Sequence, residues 1–293
     1  MAGRLARSWR ILRFSAGVLR RNKRLLVLPV FSFGAAALLL AGYLGLYWRW
    51  QFAVEPGTSL SASGIPLAVG FVFYFAASNV VIFFNSALVL AAAQAMNGEQ
   101  PTVGGALRGT LVKSKSILGY ASLSATLGVL LNILEDRLGV VGVFVARLFG
   151  IAWALATYLA IPVLVYRDIG PIDAVRESAA LLKRTWGENI VANAGLGLLF
   201  GFLYFALIFL AMIPGSMVYV SFMDSATGPE ELFLTGVAFL AVCLVLLLLI
   251  AMHTALNGIY ATALYRHAIG APTELDTRQP DDDLFGSAFH AKS

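Results

Sequence analysis

The chain has 293 residues, of which 59% are hydrophobic and only 13% charged, about half the charged share of an ordinary soluble domain. A water-soluble fold cannot hide that much apolar surface, so the composition excludes one and makes lipid the solvent. The net charge of +5 comes mainly from one N-terminal cluster with no nucleic-acid motif beside it; this argues against a nucleic-acid partner and for anionic lipid headgroups.

Residues 1–24 carry Arg4, Arg7, Arg10, Arg13, Arg20, Arg21, Lys23 and Arg24 and no acid. Leu5, Trp9, Leu12, Ala16 and Leu19 form one stripe, with Ile11, Phe14 and Val18 off it, which predicts an interfacial amphipathic helix covered on two sides. The apolar run 25–48 that follows is of full spanning length. That is longer than the roughly 7–15 residues of a signal-peptide core, so it reads as an uncleaved first span. Further runs at 65–93, 117–134, 139–165, 190–214 and 232–264 each reach or approach the ~20 residues a helix needs to cross a bilayer. Strict alternation is absent, so helices rather than barrel strands are expected. Two more interfacial helices are predicted at 101–116, on Leu107, Leu111, Ser114 and Leu118, and at 171–187, on Val175, Ala179, Leu182 and Trp186. A polar tail, 266–293, closes the chain after a transmembrane domain at 25–265.

Eighteen of the 21 basic residues fall on one side of the six spans. The positive-inside bias makes that side cytoplasmic, with both termini inside. The expected fold is all-α and integral to the membrane. Its unit, an interfacial helix followed by two spans, occurs three times, and the second, fourth and sixth spans leave the membrane through Gly98…Pro101, Gly170-Pro171 and Gly270…Pro272.

Polar residues inside the spans are the candidate functional set. Arg147 lies about 12 Å into the fourth span. An Arg at a helix centre costs roughly 2.5–3.5 kcal/mol. The 14 Leu, Ile, Phe and Val residues of 140–165 each return roughly 0.3–0.6, so the span still inserts. Arg147 either faces a polar cavity or an anionic substrate, or it snorkels outward or pairs with Glu135 or Asp136 at the outer edge. Asn79, Asn85, Asn132, Asn193, His253 and Asn257 complete the set, with His253 and Asn257 on one helical face. Such groups hydrogen-bond between helices or line a path. Gly195, Gly197 and Gly201 predict close helix packing. Pro162 predicts a kink that frees a carbonyl.

The run Ile161-Pro162-Val163-Leu164-Val165, then Gly170-Pro171, Ala174, Ser178, Leu182 and Trp186-Gly187-Glu188, together with Gly98, Pro101 and Gly128, resembles a family of six-span bacterial membrane proteins, domain of unknown function 6159. The resemblance covers all but the tail and implies the bacterial inner membrane. The layout is more distantly similar to the membrane domain fused to some glycerophosphodiester phosphodiesterases, without their catalytic barrel.

No phosphate loop, HExxH, G-x-S-x-G, CxxC or intramembrane carboxylate pair is present, and Cys243 is the only cysteine. No catalytic residue, metal site or cofactor is therefore expected. The leading expectation is a non-enzymatic scaffold with a homo-oligomeric or envelope protein partner. The alternative is a transporter or channel for a small solute or lipid, lined by the intramembrane polar set. Convergence of Arg147, Asn85, His253 and Asn257 on one cavity would favour the second.

Overall fold

The computed structural model describes residues 2–53, 65–223 and 229–271, with side chains at 11–50, 68–183, 195–218, 220, 230 and 233–271. Every regular element among them is helical: α1 (Ala2–Arg21), a 3-10 turn (Lys23–Leu26), α2 (Val27–Ala53), α3 (Ile65–Met96), α4 (Val103–Val112), α5 (Ser114–Ala156), α6 (Ala160–Tyr166), α7 (Pro171–Met223) and α8 (Pro229–Ala268). The tail beyond residue 271 lies outside the described residues.

Among the described residues, five stretches are long and apolar enough to cross a membrane: Lys23–Trp50, Ala68–Met96, Ser114–Tyr166, Gly195–Val218 and Phe233–Ala268. The third has 53 residues, about twice what a crossing needs. It is not straight. Gly139 breaks α5 at φ 56° and ψ −135°, a backbone region open in practice to glycine alone. A methyl group on Gly150 would lie 3.9 Å from Leu131 Cδ1. Nineteen residues of straight helix would hold those positions about 28 Å apart. The chain therefore doubles back at Gly139, and the arms 114–138 and 140–156 run side by side.

The outer flanks of these helices are apolar and bare. Val140 is 89% exposed, Leu198 77% and Phe202 71%. In water such a surface would aggregate; in a bilayer it is the expected coat. The buried core gathers at one end of the bundle. There Ile11, Val18 and Leu19 of α1 meet Leu25 and Leu28, the C-terminal turns of α3 and α8, Ala106 of α4, α6, and Ala174 and Leu181 of α7. The amphipathic segments thus pack on the bundle as well as facing its surroundings.

Their buried faces differ from the predicted stripes. In α1 the side chains of Leu5 and Trp9 lie outside the described residues; among the others Ile11, Ser15, Val18 and Leu19 are buried, in keeping with cover on two sides, while Ala16 of the stripe is exposed. In α4 the buried residues are Ala106 and Thr110, and Leu111 turns outward, as does Leu118 in the first turns of α5. In α7 they are Ala174, Ser178, Leu181 and Leu182, with Val175 and Ala179 only partly covered. The α4 and α7 faces start one residue before the predicted stripes. The reason is common to both: small residues allow close approach to the bundle, and large apolar ones are stable in lipid. Each buried face carries a hydroxyl, at Ser15, Thr110 and Ser178. Ser15 donates to the Ile11 carbonyl at 2.8 Å, and Thr110 donates to the Ala106 carbonyl at 2.8 Å.

The interfacial helix and span predicted separately at 171–187 and 190–214 are one 53-residue helix, α7. Gly187 does not adopt the positive φ that ends a helix; among the described residues only Gly98, Gly139 and Gly270 do. Gly98 and Gly270 stop α3 and α8 alike. Glu99 N–H donates to the Gln94 carbonyl at 3.1 Å and Ala271 N–H to the Arg266 carbonyl at 3.0 Å, the long bond of a left-handed helix stop. Helix α6 ends differently, through extended Arg167. Lys113 caps it from outside, its Nζ donating to the Val165 carbonyl at 2.6 Å.

Candidate functional site

The site is built around an interrupted helix. Between α5 and α6 the chain leaves helical geometry at Thr157 (ψ 1°) and Leu159 (ψ 7°). Pro162, four residues after Tyr158, has no N–H for the Tyr158 carbonyl and weakens the same turn. The break thus lies ahead of the proline that announced it. A turn opened inside an apolar span must satisfy its backbone groups within the protein. Here Leu159 N–H donates to Ser178 Oγ at 3.0 Å, with both residues fully buried. Ser178, a polar residue on the inward face of α7, is there to receive it.

The opened turn presents Tyr158 to α8, where its hydroxyl donates to Asn257 Oδ1 at 3.0 Å. Tyr158, Asn85 of α3, and His253, Thr254 and Asn257 of α8 line a cavity of about 350 Å³ that is partly open to the exterior. Val89, Ile161, Pro162 and Ala261 complete its apolar wall. Asn85 and Asn257 occupy matching heights, each thirteen residues before the positive-φ glycine that ends its helix. Each is eleven residues, about 16 Å, from the helix end at Met96 or Ala268. Behind the cavity α3 and α8 nearly touch, because a methyl group on Gly258 would meet Leu88 Cδ2 at 2.8 Å.

His253 is held from α7. Tyr204 Oη lies 2.9 Å from His253 Nδ1, and the Phe200 ring stacks on the imidazole at 4.4 Å between centroids. With Tyr204 donating to Nδ1, the ring carries its proton on Nε2. Among the described residues the lining holds no formally charged side chain, so it offers hydrogen bonds rather than a field.

Three of the predicted polar residues, Asn85, His253 and Asn257, therefore converge. The others do not. Arg147 is exposed on the arm 140–156, eight residues past the Gly139 break, and among the described residues makes no ion pair with Glu135 or Asp136. That position suits a side chain running along its helix toward the polar boundary. Asn79 donates to the Phe75 carbonyl of its own helix at 2.7 Å. Asn132 is exposed on the arm 114–138, and the Asn193 side chain lies outside the described residues.

The predicted packing role of Gly195, Gly197 and Gly201 is corrected within this chain, since a methyl group on any of them would meet nothing within 4 Å. Leu196 and Phe200 are the buried residues of that stretch, so bulky side chains make the α7 contact there. Close approach occurs instead at Gly109 against Leu90, Gly119 against Pro171 and Gly128 against Tyr74. Tyr158, Tyr204 and Thr254 were not singled out from sequence, and Ser178 entered only through the family resemblance. Only Pro162 signalled the turn that positions the first of them.

The model of a family of unknown function, DUF6159, matches residues 64–274, and the chain belongs to that family. The match takes in α3 to α8 and hence every residue of the cavity wall. Comparison with curated proteins returned no match.

Proposed function

From membership in a family without an assigned activity, we propose that this is a six-span bacterial inner-membrane protein that binds a small molecule in a polar cavity within the bilayer, as a carrier or transporter does. The observation that supports this reading is the interrupted helix beside the cavity. Irregular backbone at membrane depth is tolerated where it is buried or lines a cavity, and broken helices build many transport sites. A volume of about 350 Å³ falls in the range of ligand pockets. The scaffold expectation rests on missing motifs, whereas the cavity is a positive feature, and on that ground binding is the reading adopted.

Six crossings follow from counting the two arms of α5 separately. The threefold unit is then α1–α2–α3, α4–α5–α6 and α7–α8, with the α7 helix supplying both interfacial and spanning parts. Its support is the buried hydroxyl at Ser15, Thr110 and Ser178, and the polar contribution to the cavity from Asn85, Tyr158 and Asn257. The basic segments share the core end of the bundle, which the positive-inside bias places in the cytoplasm. Fluorescent-protein and alkaline-phosphatase fusions after residue 293 should give fluorescence without phosphatase activity, and the reverse after residue 226. Phosphatase activity at residue 293 would remove the even count.

Binding is tested by solvent access. In a Cys243→Ser background, Thr254→Cys should react with a small uncharged thiol reagent in membranes. A cysteine at Ala255, which is fully buried, should not. No reaction at 254, or equal reaction at both positions, would refute an open cavity.

A further inference from the structure

We infer that the cavity accepts the carbonyl oxygens of an uncharged ester, and that the ligand is a neutral acylglycerol drawn from the bilayer. This rests on the binding role proposed above and deepens it. Hydrogen bonds within the wall leave an uneven remainder. Tyr158 occupies Asn257 Oδ1, so the amide Nδ2 of Asn257 keeps two N–H groups for a ligand. Tyr204 engages His253 Nδ1, so Nε2 is the ring's remaining polar atom, an N–H donor in the tautomer in which the Tyr204 hydroxyl donates. Asn85 adds two further N–H donors against one carbonyl acceptor, and Thr254 a hydroxyl that serves as either. The surplus is N–H donors, which calls for a ligand rich in acceptors.

Charge narrows the class. An anion would also accept these bonds, but among the described residues the wall supplies no fixed cation to offset its desolvation. A metal cation or ammonium group would find few free acceptors. An uncharged carbonyl satisfies the donors without that cost. The apolar half of the wall, Val89, Ile161, Pro162 and Ala261, suits the carbon skeleton beside such a group. About 350 Å³ holds a glycerol with its ester groups and leaves the acyl chains outside. The cavity is partly open, and its lining Asn85 and Asn257 sit about 16 Å from the helix ends, at a height where the flanks of the chain are apolar. Acyl chains leaving the opening would meet lipid there.

The test is photocrosslinking of the full chain in phosphatidylcholine nanodiscs with a diazirine-bearing diacylglycerol. The expected result is labelling of the wall that unlabelled dioleoylglycerol suppresses and phosphatidic acid does not. Asn85→Leu and Asn257→Leu should each lower labelling roughly fivefold, the loss of about one hydrogen bond. Val89→Trp, which fills the space and removes no donor, should abolish it, and Arg147→Gln should leave it unchanged. Each variant is first shown to be monodisperse with an unaltered melting temperature. Suppression by water-soluble triacetin as strong as by dioleoylglycerol would keep the ester chemistry and overturn the bilayer as its source. Equal suppression by phosphatidic acid, or labelling indifferent to both asparagines and to Val89→Trp, would overturn the inference. If Thr254→Cys still reacts with the thiol reagent in that case, the binding role stands and only the ligand class falls. If it does not, both fall.

Discussion

Gly142→Val should be among the most damaging single substitutions in the chain, lowering stability by more than about 3 kcal/mol. Gly142 is buried where the two arms of α5 meet. A methyl group there would strike the Leu134 carbonyl oxygen, come within 2.7 Å of Leu138 Cβ and lie 3.3 Å from Glu135 Cα. Two of those three atoms are backbone, which cannot rotate away as a side chain can. Relief requires the arms to separate, and separation exposes the contact between Gly150 and Leu131 farther along. Thermal melting of purified protein in detergent checks the expectation. Val140→Ala, two residues away in sequence, trims a side chain that is 89% exposed and should leave the midpoint nearly unchanged. A Gly142→Val protein melting at the parental temperature would show that the arms do not meet as described.

Ser178→Ala should cost about 2–3 kcal/mol, well above the typical effect of trimming one hydroxyl. Its Oγ is the acceptor for Leu159 N–H at the interrupted turn, and both groups are fully buried. Removing it strands a backbone donor that no water reaches. Ser15→Ala supplies the contrast. Ser15 is just as buried, but its hydroxyl donates to the Ile11 carbonyl, which lies within its own helix. Its loss deprives no backbone donor, and the expected change is below about 1 kcal/mol. Melting of both variants in one detergent gives the comparison, and equal small losses would show that Ser178 does not hold the break. The turn at Thr157–Leu159 also places Tyr158 against Asn257, so Ser178→Ala should disturb the cavity wall at a distance.

The residues that proved legible in sequence share one property: their consequence is local. Apolar runs announce membrane helices because each run must satisfy its own backbone in lipid, and α2, α3 and α8 match the expected spans closely. Gly98 and Gly270 announce helix stops because a left-handed residue ends a helix wherever it occurs. The Gly139 reversal also fell where the expected third and fourth spans parted. The faces of the amphipathic helices were read less well. A hydrophobic stripe identifies the burying face when the alternative is water. For α4 and α7 the alternative is lipid, so Leu111 and Val112 can turn outward while Ala106, Thr110, Ala174 and Ser178 turn in.

The polar set divides on the same ground. Asn79, Asn85 and Asn257 are the same residue type in similar surroundings, yet one donates to its own helix, one faces open space and one accepts from a tyrosine 99 positions away. Nothing within a span distinguishes these outcomes, because each depends on what the neighbouring helix places opposite. The amino-acid sequence alone determined that this protein is built of helices of spanning length and that glycine ends or reverses them at Gly98, Gly139 and Gly270, since hydropathy and glycine act residue by residue. Tertiary structure alone decided that Tyr158, Asn85, His253 and Asn257 share one cavity and that Arg147 stands apart from it. Hydrogen bonds between distant segments have no period and no fixed spacing for a sequence to display.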